Sequence, residues 1–225
     1  MNLQDKSEEF KDLYKLANPL PDARAKVPVL QVTVDGENAL VLCESIVVTE
    51  YLADCFDVGG GSLLPKDAEH RARGKLFTEL CSGAFSYFPI LRSRDDPEKQ
   101  AAAVDELKLS LVGANDFLLA HGSGEMGDGP FFFGEQFSTV ECIAAPFVQR
   151  ACTVLPHFCG EELSPLALCE ELKLPRLSQW IKAVVERPSV VTTGVEPPKM
   201  VESVNAMLER FAAAAAGSSS SSSSS

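Results

Sequence analysis

Two short clusters in the first quarter of the chain carry residue types suited to holding a ligand. Val27-Pro28 heads the apolar run Val29-Leu30-Gln31-Val32-Thr33-Val34, and Glu44-Ser45 immediately precedes Ile46-Val47-Val48. An X-Pro bond costs only about 0.5–1 kcal/mol to adopt the cis form, so a proline entering a strand beside a ligand is a candidate cis peptide. Ser45 falls where a helix is expected to start, and the unpaired N–H groups of such a start accept a carboxylate. The Ser45 hydroxyl adds a further donor. An extended backbone and a carboxylate receptor together describe a site for a small anionic peptide. Each residue also has a plainer reading, since serine at a helix start is commonly an N-cap and Lys6, further upstream, is commonly a solvated charge.

Holding these groups requires a strand, a turn and a helix in quick succession. The spacing predicts strands over 27–34 and 38–42 flanking Asp35-Gly36, where glycine supplies the positive φ of a hairpin turn. A helix is expected from 45 to 55. Beyond it, Gly59-Gly60-Gly61-Ser62 through Pro65 is a linker by composition, and almost everything afterwards reads helical.

A single helix is expected over 67–91. Val104, Leu107, Leu111, Ala114 and Leu118 recur at steps of three and four, one apolar stripe on a helix over 97–120. Ser138-Thr139-Val140-Glu141 has the form of a capping box opening a helix whose inward face is Val140, Ile143, Ala144, Phe147, Val148 and Ala151. A helix over 176–187 carries Leu177, Trp180, Ile181, Val184 and Val185 inward and stops at Pro188. The loop Gly122-Ser123-Gly124-Glu125-Met126-Gly127 has the G-x-G-x-x-G spacing of dinucleotide-binding turns, but it follows a helix rather than a strand and reads as a flexible loop. Five alanines, a glycine and a serine run close the sequence, and the serines are expected to be disordered.

With 225 residues and 45% apolar content the chain can bury a sizeable core. Its net charge of −12 argues against nucleic-acid or anionic-membrane partners, which would need a basic face. Seven cysteines with no C-x-x-C pair read as reduced thiols of a cytoplasmic protein, and the scattered His70, His121 and His157 offer no metal site. Of the thiols, Cys43 adjoins the helix start at Ser45, but Glu44 beside it disfavours the thiolate, and Cys81, Cys142, Cys152, Cys159 and Cys169 fall in helical segments as filler.

Lys26-Val27-Pro28-Val29-Leu30, the hairpin, Glu44-Ser45-Ile46 and Glu50-Tyr51-Leu52 together resemble the glutathione-binding half of a glutathione transferase. The opening Asn2-Leu3-Gln4-Asp5-Lys6-Ser7-Glu8-Glu9-Phe10 is most similar to the omega and lambda classes. Gly134-Glu135-Gln136-Phe137-Ser138 and Leu174-Pro175-Arg176-Leu177 extend the likeness into the second half, so that it spans residues 2 to 211.

The resemblance implies an α/β thioredoxin-like N-terminal domain, truncated at its start, over 1–58, then a linker over 59–65, an all-α C-terminal domain over 66–211 and a tail over 212–225. It implies glutathione as co-substrate, held by the backbone of Val27 beside a structural cis-Pro28, by Glu44 and Ser45 at the γ-glutamyl end, and by Lys6 at the glycyl end. The second substrate would be a small electrophile or disulfide, on the 67–91 helix near Phe85, Tyr87 or Phe88, and a homodimer is an assembly the family allows. The residue that activates sulfur in the family, a Cys, Ser or Tyr, lies between a strand and a helix preceding the segment matched by residues 2–6. No catalytic residue is therefore assigned. An upstream strand and Cys-Pro-like helix start are expected in the complete form; a protein that has discarded catalysis is the competing account. In the complete form the class implies glutathione-dependent thiol transfer or reduction. A non-catalytic interaction scaffold on the same fold is the alternative.

Overall fold

The computed structural model describes residues 5–56, 62–122 and 128–220, without the side chains of Asn38 and 214–220. The chain divides into two compact units, Met1–Pro65 and Lys66–Ser225. Residues 57 and 58, residues 59–61 of the expected linker, and most of the glycine-rich 122–127 loop lie outside the described residues.

In the first unit Ser7 starts helix α1 (Glu8–Ala17), its Oγ accepting from Phe10 N at 3.3 Å, with Glu8 and Glu9 placed where the helix dipole favours them. Strands β1 (Val29–Val34) and β2 (Glu37–Cys43) follow as an antiparallel pair. Between them Asp35 at φ 53° and Gly36 at φ 86° form the two-residue left-handed turn that the sequence predicts. The first strand begins two residues later than expected, because Pro28 has no N–H to give to a ladder. Helix α2 (Ser45–Cys55) has the expected bounds. Residues 1–4 lie outside the described residues, and Asp5 and Lys6 are not in a strand. Both α1 and α2 pack on β2. Buried apolar side chains among the described residues of this unit are few: Tyr14, Val48 and Ala53.

The second unit is all helical: α3 (Ala68–Ala84), α4 (Phe88–Arg92), α5 (Pro97–His121), α6 (Thr139–Cys159), α7 (Pro165–Glu171), α8 (Pro175–Glu186), α9 (Pro188–Thr193) and α10 (Pro197–Ser220). The α5 stripe is buried at Leu107, Leu111, Ala114 and Leu118. Val140, Ala144, Val148 and Ala151 of α6 and Leu177, Trp180, Ile181 and Val184 of α8 join the same core. Gly74 lets α3 approach closely, since a Cβ there would stand 2.8 Å from Val140 Cγ2.

One expectation is corrected. The helix foreseen over 67–91 is two helices, because Pro89 lacks the N–H that a continuous helix would donate to the Phe85 carbonyl. Helix α10 continues through Ser220, carried past residue 211 by the alanine run, whose helix propensity is the highest of any residue. Ser221–Ser225 lie outside the described residues.

At the centre of the helical unit sits a buried acid. Glu141 Oε1 accepts from Phe132 N at 2.8 Å and Trp180 Nε1 at 2.9 Å, while Oε2 accepts from Ser138 N at 2.9 Å and Ser138 Oγ at 2.8 Å. The predicted capping box is thus present, and Glu141 also ties the 131–138 loop and α8 to the start of α6. Burial pushes its carboxyl above the usual range, against the pull of these donors. Nearby, Arg176 Nη1 and Nη2 donate to the Pro130 and Phe131 carbonyls at 2.9 and 2.7 Å, and Asn115 Oδ1 accepts from Leu177 N at 3.2 Å near the start of α8.

Candidate ligand-binding site

The hairpin brings the two predicted clusters together. Its last ladder pair is Val29 with Cys43, and the two chains leave the ladder side by side. Pro28 and Glu44 are each one residue beyond that pair, and Val27 and Ser45 each two residues beyond it. The Val27–Pro28 peptide bond is cis. Val27 is 47% exposed, and Glu44 and Ser45 are exposed as well, so the backbone of the strand entrance and the mouth of α2 open to solvent at the same end of the sheet.

Among the described residues that mouth has no side-chain cap from its N-cap residue. Glu44 is the N-cap residue and makes no side-chain cap hydrogen bond, leaving Ser45 as the first helical residue rather than the cap. The plainer reading of Ser45 therefore does not apply. The Ser45 carbonyl already accepts from Thr49 Oγ1 at 2.8 Å, and the Glu44 carbonyl from Val48 N at 3.0 Å. The helix start thus keeps first-turn N–H groups and a serine hydroxyl for an anion. Glu44 holds φ 70° and ψ 121°, a left-handed conformation that costs a non-glycine residue about 1–3 kcal/mol. Nothing in the sequence announces it, because glutamate is not a residue type that favours positive φ.

Lys6 lines a hollow with Lys11, Tyr14, Lys15 and Arg24, and Val27, Glu44 and Ser45 are not among its lining residues. The other lysines of this hollow sit four apart on α1, a spacing legible in the sequence that the motif reading passed over.

No thiol in the helical unit is set up as a nucleophile. Burial pushes Cys152 up to about 12 and Cys169 to about 11, and raises Cys81, Cys142 and Cys159 too. These are packing residues. Cys43 ends β2 half-buried, whereas Cys55 is exposed at the end of α2. The Tyr51 hydroxyl is held above its ordinary value by its hydrogen bond to Cys55 one turn away. Of the residues considered for a second substrate, Phe85 and Tyr87 are core and Phe88 is partly buried against them. Among the described residues no group of His, Cys, Asp or Glu side chains could hold a metal ion, and no helix is long and apolar enough to cross a membrane.

A short hairpin entered through a cis-proline, an open helix start beside it, and a following all-helical unit define a thioredoxin-like domain joined to a helical domain. Residues 101–183 match the family model of the glutathione S-transferase C-terminal domain. The chain is 24% identical over 207 residues to the probable glutathione S-transferase parC of Nicotiana tabacum, covering 92% of this chain and 84% of that one. To glutathione S-transferase L3 of Arabidopsis thaliana it is 30% identical over 178 residues, 79% of this chain and 64% of the relative. Among solved structures, rice GST1 in complex with glutathione matches with a TM-score of 0.63 at 26% identity, across 92% of this chain and 84% of that one. The chain thus resembles glutathione transferases in sequence and in fold along most of its length.

Proposed function

We propose that this chain binds glutathione at the open end of its hairpin and belongs to the omega/lambda type, whose complete form carries out glutathione-dependent thiol transfer or reduction. The observation that carries the reading is the register: cis-Pro28 and the uncapped start of α2 leave the ladder beside one another. In this reading the extended cysteinyl part of glutathione pairs with the Val27 backbone as a short strand would. Its γ-glutamyl carboxylate takes the Ser45 hydroxyl and the first N–H groups of α2, and Glu44 accepts from the γ-glutamyl ammonium. Lys6 is the contact for the glycyl carboxylate. A tripeptide fixed at both ends presents its sulfur at high effective concentration to a small electrophile or disulfide. The residues named bind and orient; none of them activates the sulfur. Likeness to the L3 protein supports the lambda side of the class assignment.

The test is retention of the full chain on immobilised glutathione and its elution by the free tripeptide. Ser45→Ala should weaken retention about tenfold, the worth of one hydrogen bond to a charged group. A folded chain that flows through unretained would overturn the proposal and leave the interaction scaffold as the account.

A further inference from the structure

The hollow that contains Lys6 is a feature of the first unit in its own right. It encloses about 310 Å³ between α1 and the 23–25 segment, at the lower end of the range for small-molecule sites. Of its eight lining residues four are cationic, Lys6, Lys11, Lys15 and Arg24, and one, Asp5, is anionic. The chain as a whole carries −12, so a cavity with this surplus is a local reversal of sign. Lys11 and Lys15 are paired along α1 with Glu8 at 2.5 Å and Asp12 at 2.9 Å, and neither carboxylate lines the cavity. Lys11 is half-exposed and the other three side chains are exposed, and surface pairs of this kind are worth about 0–1 kcal/mol, so an incoming anion can compete for both lysines. Arg24 is exposed and forms no ion pair among the described residues. Tyr14 is 2% exposed, and its hydroxyl accepts from Asn18 Nδ2 at 3.3 Å, which leaves its own proton to donate.

We propose that this cavity, which shares Lys6 with the proposed glycyl contact but not Val27 or Ser45, is a second anion site for a small phosphate-bearing molecule of the size of a diphosphate. The argument runs from charge and shape together. A single carboxylate would leave most of the positive surplus unanswered, whereas adjoining phosphate groups offer several acceptor oxygens to an arginine fork, to lysine point charges and to a phenol donor. The site does not depend on glutathione being the ligand of the Val27 and Ser45 contacts.

Isothermal titration of the full chain with sodium pyrophosphate at low ionic strength tests it. One site with a Kd below about 1 mM is expected, weakening as salt rises from about 50 to 200 mM. Arg24→Gln and Lys15→Gln should each weaken binding about tenfold, and the double variant should abolish it with its circular dichroism unchanged. Ser45→Ala should leave pyrophosphate binding as it was. No saturable heat, equal affinity in the double variant, or tighter binding of succinate than of pyrophosphate would each overturn the proposal.

Discussion

Glu44 is the residue at which stability and binding part company. Its positive φ is strain the chain carries at the helix mouth. Glu44→Gly removes that strain at the cost of chain entropy, about 0.5–1 kcal/mol. Thermal stability should therefore not fall, while retention on glutathione does; a variant that loses stability in step with binding would show that the conformation serves folding instead. A different pair of acids contributes to the acid limb. Asp67 and Asp96 accept from His70 N and Lys99 N at the starts of α3 and α5. Asp67 is held low chiefly by that backbone bond, and Asp96 chiefly by the Lys99 side chain. A carboxyl depressed in the folded state stabilises the fold above its unfolded value and loses that contribution as pH falls through the folded one. Asparagine caps a helix about as well as aspartate but does not titrate. Asp67→Asn/Asp96→Asn should accordingly flatten the dependence of Tm on pH below about 4, with little change at neutral pH. The thiols give a third check: iodoacetamide at neutral pH should label exposed Cys55 first, and Cys81, Cys152 and Cys169 only with unfolding, as peptide mapping by mass spectrometry would show.

At the scale of elements, one carboxylate joins α6, α8 and the 131–138 loop. Replacing it by Glu141→Ala orphans Phe132 N, Ser138 N and Trp180 Nε1 in the core, and the loss measured by urea unfolding should be about 3 kcal/mol or more. Glu141→Gln, which keeps one acceptor oxygen, should lose less. How much of this could be read from sequence varies with the physics of each element. The α5 and α8 stripes were plain because a period of 3.6 repeats over several turns, and Ser138 with Glu141 announced a helix start by local chemistry alone. The Asp35-Gly36 turn and the cis-proline were equally local. The break at Pro89 was visible as a residue type, yet apolar residues on both sides disguised it. That Glu141 reaches Trp180, 39 residues away, belongs to tertiary structure and leaves no local mark. Nor does the hollow lined by Arg24 and the α1 lysines, whose members come from two segments.

For the whole molecule, the two units differ in how much they bury. The helical unit has a continuous core from Phe77 to Leu208, whereas Tyr14, Val48 and Ala53 are the buried apolar side chains described in the first. Residues 66–225 expressed alone should fold, with a helical circular dichroism spectrum and a cooperative melt, and residues 1–65 alone should not. A non-cooperative melt for 66–225 would contradict this assignment. The same division has a practical side. Trp180 is the one tryptophan of the sequence, fully buried and hydrogen-bonded to Glu141. Intrinsic indole fluorescence is consequently a private reporter of the helical unit: its emission should be blue-shifted in the native protein and move to the red when that core opens. Melting confined to the hairpin and its two helices would pass beneath such a measurement unseen, so a single-wavelength trace could look two-state while half the story goes unrecorded.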